Sequence, residues 1–356
     1  MDASRDSYNS DDCAVGGVFG VALYHFTQRK NTNNPGLAAA VFFADSAIHP
    51  PLSPDGRMLA FIRGSQEVVA GHGDVYVKLL PDGEPVQLTH HKRLKLGPAF
   101  SPDSSRLAYG TVDPWETWEV PVFGGDPRLL LPNSSSLTWI QDGKHLLFSE
   151  SKQGMHMAIV TSDEARGHSR DVYVPAGERS MAHHSYLSRD GKWALVVEMD
   201  NQGWIGPCRV VPFDGSGDAR VVGPPDATCN SGGWSPDGEW LYLTSNHGGQ
   251  FHIWRQRFPD GTSEQLTSGP TEEDGIAMAA DGKSAITSVG IEDSSVWVHD
   301  VKGEHQISPE NYSGAPQFSP DSRRLYYLRF PGETWTLNFG SPIWPAVPAG
   351  QCFRDT

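Results

Sequence analysis

One short phrase recurs seven times along this 356-residue chain: an apolar residue, a small turn ending in Asp-Gly or Asp-Ser, then a β-rich run. The copies are Leu52-Ser-Pro-Asp-Gly56, Phe100-Ser-Pro-Asp-Ser104, Trp139-Ile-Gln-Asp-Gly143, Leu187-Ser-Arg-Asp-Gly191, Trp234-Ser-Pro-Asp-Gly238, Met278-Ala-Ala-Asp-Gly282 and Phe318-Ser-Pro-Asp-Ser322. Their aspartates, Asp55, Asp103, Asp142, Asp190, Asp237, Asp281 and Asp321, succeed one another at 48, 39, 48, 47, 44 and 40 residues. A repeat of that length dictates architecture before any single element is assigned. It says much about shape and little about chemistry.

Inside each copy the order of signals also repeats. In the fifth, Gly233 to Ser235 ends a first strand and Pro236-Asp237-Gly238 makes a turn. Pro presets φ there, Asp bonds the following backbone, and Gly accepts φ > 0. Trp240 to Thr244, Phe251 to Gln256 and the polar Ser263 to Thr267 read as three further strands. Four short strands per repeat are the pattern of a propeller blade. The seventh copy lacks a fourth strand, and the apolar Leu37 to Phe43 precedes the first copy with no repeat to belong to. Closed rings leave no free sheet edge. The expectation is therefore an all-β, seven-bladed propeller over residues 37–338, with Leu37 to Phe43 as the outer strand of the seventh blade. Residues 1–36 and 339–356 are expected as tails.

The 38 Gly and 27 Pro suit many strands joined by turns. A net charge of −15 removes the basic footprint of a nucleic-acid binder. Cys13, Cys208, Cys229 and Cys352 show no metal-ligand spacing. Whether Cys208 and Cys229 meet between adjacent repeats the spacing leaves open. Ala14 to Phe26 is apolar but short of the roughly 20 residues that span a bilayer. It reads as a frayed tail, a buried apolar segment or the remnant of a membrane anchor, and the last would make membrane attachment depend on a truncated segment. A periplasmic or tethered location is favoured slightly over a cytoplasmic one, and a monomer is expected.

The Ser-Pro-Asp-Gly phrase followed by an apolar strand resembles the repeat of TolB-like, WD-related bacterial propellers. Copies one, two, five and seven keep Ser-Pro-Asp; copies three, four and six drop the Pro. The phrases Leu243-Thr-Ser-Asn246, Gln265-Leu-Thr267 and Ser295-Val-Trp-Val-His299 are also similar to propellers at the sensor ends of bacterial membrane-bound serine/threonine kinases and winged-helix regulators. No kinase signature is present. The resemblance implies a propeller binding or sensor module without its effector, engaging a protein, a peptide or a small ligand.

Two enzyme readings are weighed against that. Propellers of this type precede the hydrolase domain of prolyl-oligopeptidase-like enzymes, but no Gly-x-Ser-x-Gly elbow occurs here. Oligogalacturonate lyases carry the same repeat and hold a metal through histidines, which draws attention to His90, His91, His183, His184, His247 and His252. Surface loops often carry His, and metal sites need three or four convergent ligands. No catalytic residue, cofactor or metal is assigned. The seven turn aspartates read as structural, one per blade on a wide circle. Ligand binding is placed on the loops that open on the channel face, with Arg93, Trp115, Arg179, His184, Trp204, Asn246 and Glu273 as its residues.

Overall fold

The structure, a computed structural model, describes residues 18–25, 37–41, 46–67, 70–91, 93–140, 142–154, 156–291, 297–300, 303–307, 313–319, 324–329 and 336–342. Every regular element among them is a β-strand. The chain divides into two compact bodies: residues 18–291, and residues 292–356 with 1–17.

In the larger body each of the first five copies contributes antiparallel strands paired in chain order. The second copy supplies Leu94–Phe100, Arg106–Thr111, Glu116–Pro121 and Arg128–Pro132. The fifth supplies Cys229–Trp234, Trp240–Ser245, His252–Arg257 and Ser263–Gln265. Successive side chains of a strand point to opposite faces, so each second strand serves two interfaces. Leu146 packs toward the second copy with Ala108 and Leu131, while Leu147 packs toward the fourth with Ala194 and Val196. Leu195 in turn meets Leu241 and Leu243 of the fifth. Tyr242 and Ile253 meet Ile276 and Ala285 of the sixth.

The sixth copy also packs on the first: Ile286 meets Ala47, Leu59 and Phe61, and Ser288 Oγ donates to the Ala47 carbonyl at 3.0 Å. The strands of this body form two four-stranded and two eight-stranded sheets, the first and second copies sharing one of the latter and the third and fourth the other. Leu37 to Phe43, expected in the seventh copy, is reassigned. Leu37–Val41 pairs with Val18–His25, and Val18–His25 pairs along its full length with Ser284–Ile291. These two N-terminal strands complete the sheet of the sixth copy, not the seventh. The physical reason is that the edge of Ser284–Ile291 needs a partner, and the apolar run read as a frayed tail, a buried apolar segment or an anchor remnant holds a strand of matching length. No helix of the described residues is long and apolar enough to cross a membrane.

Ser295 to Asp300 and His305 to Ser308 are the segments expected as the sixth copy's own third and fourth strands; in the second body Trp297–Asp300 pairs with Gly303–Gln306. That body also holds a three-stranded sheet of Ser313–Phe318, Arg324–Arg329 and Thr336–Pro342. The expected tail therefore begins no earlier than residue 343. The Asp321 turn, Phe42 and Phe43, and Cys13 and Cys352 lie outside the described residues.

Cys208 and Cys229 form a disulfide with a Cα–Cα distance of 5.3 Å. It fastens the fourth copy to the first strand of the fifth, and both residues are buried in the core between them.

Candidate functional site

The two sides of each sheet treat polar groups differently. On the turn side, Ser53, Ser101, Ser188 and Ser235 donate their hydroxyls to Asp55, Asp103, Asp190 and Asp237 at 2.5, 2.6, 2.6 and 2.5 Å. Each aspartate also accepts the N–H two residues on, at Arg57, Ser105, Lys192 and Glu239. Each serine oxygen accepts the N–H five residues on, at Met58, Arg106, Trp193 and Trp240. Asp142 and Asp281 hold the N–H groups of Lys144 and Lys283 in the same way, both at 2.8 Å. The Ser101 hydroxyl, then the Ser105 N–H, hold the Asp103 carboxyl down at about 2. These carboxylates accept from the serines and backbone N–H groups of their own turns.

The loop-side residues scatter. Arg93 and Arg179 are exposed, and the Arg179 N–H donates to Asn201 Oδ1 at 3.0 Å. Trp204, in the same loop as Asn201, is 39% exposed on a turn whose N–H donates to Asp200. Asn246 is bound inward, its Oδ1 accepting the Thr228 N–H at 2.8 Å. Trp115 packs as a lid on Met157, Met181 and Met199. His183 and His184 stand in the inner strand Met181–Leu187, not in a loop. Glu273 likewise lies in the strand Glu272–Met278, where its Oε2 accepts from Thr267 Oγ1 at 2.8 Å and lies 3.0 Å from His252 Nδ1. The first copy repeats that device: Thr89 Oγ1 donates to Asp74 and accepts the Val75 N–H.

A second cluster lines the inner strands. His49 Nε2 lies 3.7 Å from Asp274 Oδ2, and Asn230 Nδ2 donates to Asp274 Oδ1 at 3.1 Å. The His49 and His184 rings are 6.4 Å apart, and Trp115 stands 5.9 Å from His183. Burial pushes the imidazoles of His49, His183 and His184 down to about 4, 3 and 3, so all three are neutral at pH 7. Buried His49 Nδ1, both nitrogens of His183, and the hydroxyls of Ser135, Ser136 and Ser185 have no hydrogen-bond partner. Such atoms are rare in a folded interior.

This cluster has a sequence signal. Counting back from each turn aspartate, the sixth and seventh places are His49 and Ile48, Gly97 and Leu96, Ser136 and Ser135, His184 and His183, Ser231 and Asn230, Gly275 and Asp274. From the second copy to the sixth, the inner strand carries a register shift at these places. Bulges re-aim side chains out of the pleat. His49, Ser136 and Gly275 adopt positive φ there, at 52, 49 and 72°. Among the described residues no group of three His, Cys, Asp or Glu is arranged to hold a metal. The cluster offers neutral hydrogen-bonding groups around one carboxylate.

No family model matches the chain. A stretch of 209 residues, 56% of the chain, is 25% identical to the uncharacterized peptidase YuxL of Bacillus subtilis (strain 168) and spans 30% of that protein's length. Among solved structures, a TolB from Agrobacterium tumefaciens superposes with a TM-score of 0.61 at 18% identity, covering 78% of this chain and 99% of that one. A chain of a nidogen/laminin complex superposes at 0.55 with 10% identity, covering 77% and 99%. At those identities the likeness is one of fold: the chain is an all-β protein with a TolB-like β-propeller architecture.

Proposed function

We propose that this chain is a non-enzymatic propeller module that binds a protein or peptide on the loop side of its fourth copy. The observation that carries this reading is Trp204, a large indole left 39% exposed on a loop next to the one bearing Arg179. Exposed aromatic and Arg side chains on a rigid scaffold are the anchors of recognition surfaces. Arg93 is likewise an exposed cation, on the loop that leads into the second copy. A bacterial sensor role fits the repeat resemblance, and the Cys208–Cys229 disulfide fits an oxidising compartment. The test is selection of peptides from a displayed random library on the folded protein, followed by titration of the selected peptide. Trp204→Ala with Arg179→Ala is expected to weaken binding more than tenfold without lowering Tm. Unchanged affinity in the folded double variant overturns the reading.

The second reading is the propeller part of a peptidase, favoured by the YuxL stretch. Reading the coding sequence beyond Thr356 tests it: a Gly-x-Ser-x-Gly elbow in frame supports it, and an unrelated domain removes it.

A further inference from the structure

Three of the chain's seven methionines stand in one row across two copies. Met157 begins the third strand of the third copy and pairs in parallel with Met181, which begins the inner strand of the fourth. Met181 pairs in turn with Met199. Directly paired residues share a face of a sheet, and the three side chains form a buried cluster of their own, capped by Trp115 and Ile205. Trp115 joins that cluster to His183, whose ring is 5.9 Å away. His183 is 2% exposed, and neither of its nitrogens has a partner.

Methionines commonly fill core gaps because the side chain is flexible. That alone does not explain the orphaned imidazole that shares Trp115 with them, since burying one unpaired polar atom costs roughly 1 to 3 kcal/mol. Thioethers and a neutral imidazole share one class of partner, a soft monovalent cation. A thioether carries no proton to lose on binding a cation. An indole face over the site adds cation–π attraction.

We propose that Met157, Met181, Met199 and His183 form a binding site for copper(I), under the lid of Trp115, at the junction of the third and fourth copies. The bound ion clamps that junction as the Cys208–Cys229 disulfide clamps the next one. Its recruitment is independent of the loop-side binding proposed above.

The test uses the full chain with Cys13→Ser and Cys352→Ser, so that the remaining cysteines are those of the disulfide. Copper(I) is titrated against bicinchoninate, with silver(I) as a probe that needs no reductant. One tightly held equivalent is expected, together with a rise in Tm and an X-ray absorption shell dominated by sulfur. Met181→Leu, which conserves volume, is expected to weaken binding at least 100-fold, and His183→Leu at least tenfold. Met58→Leu and Met278→Leu are expected to leave it unchanged. Should Met181→Leu fail to fold, Met157→Leu and Met199→Leu carry the same test. Absence of a stoichiometric site overturns the proposal, as does binding that survives in the folded methionine variants.

Discussion

The turn side and the inner strands of the larger body are built from the same six copies and behave oppositely. At the turns, a serine and an aspartate three positions apart or fewer satisfy one another and the local backbone, copy after copy. Along the inner strands, the places six and seven residues earlier hold a different pair in every copy. There buried imidazoles and hydroxyls remain without partners. What repeats is locally satisfied and structural; what varies is incomplete and available to something else.

Acid separates the two regions most strongly. An imidazole in the unfolded chain takes up its proton near pH 6.5. The folded chain holds His183 and His184 off until about 3 and His49 until about 4, because burial penalises the imidazolium. Their folded values are depressed, so this stability is complete above pH 6.5 and is lost as the pH falls toward 4. The slope is about 1.4 kcal/mol per pH unit for each imidazole, which makes His183 alone responsible for about 2 kcal/mol by pH 5. Asp103, held near 2, stays ionised through the same window. Urea unfolding at pH 7 and pH 5 should show the loss in the wild type and a smaller loss in His183→Leu. Equal losses in both proteins would break the contrast.

The disulfide comes next. It closes a separation of 21 residues between the fourth and fifth copies, and a crosslink of that span is worth about 3 kcal/mol in the chain-entropy account. Cys208→Ala with Cys229→Ala should lower the unfolding free energy by that amount in non-reducing buffer. A change below about 1 kcal/mol would mean that the Leu195, Val210 and Leu241 core already holds this junction without help.

These two effects mark where the sequence was readable. The turn phrase carries its own physics in five consecutive residues, so copies, strand order and all-β class were legible. The partner at the sixth copy's sheet edge was not. It depends on which of two apolar segments takes the edge of Ser284–Ile291, and Val18–His25 and Ser295 to Asp300 are both eligible by pattern. Of the candidate site the exposure was legible in part: Trp204 and Arg179 are exposed loop residues, as their polar surroundings imply. His184 and Glu273 were read as loop residues because a bulge interrupts the strand alternation that would have placed them inside. His49 escaped notice because the strand it follows, Ser46–Ile48, is three residues long.

The smallest effects test whether the turns are as self-contained as they look. Ser235→Ala deletes the hydroxyl that donates to Asp237 and accepts from Trp240. It should cost about 1 kcal/mol, the usual net worth of such a bond, and Ser101→Ala should cost the same in the second copy. The sixth copy supplies the converse. Ala279 stands where the first, second, fourth and fifth turns carry serine, yet Asp281 still accepts the N–H groups of Lys283 and Ser284. Ala279→Ser adds the missing hydroxyl at a turn whose backbone already has the right course, so it should stabilise by about 0.5 kcal/mol. Thermal unfolding of the three variants measures both signs. If serine stabilises at position 279 and alanine destabilises at 235 and 101, the turns are interchangeable parts. If Ala279→Ser destabilises, the sixth copy's turn is shaped by its neighbours, and the division between repeated structure and unrepeated function fails at that copy.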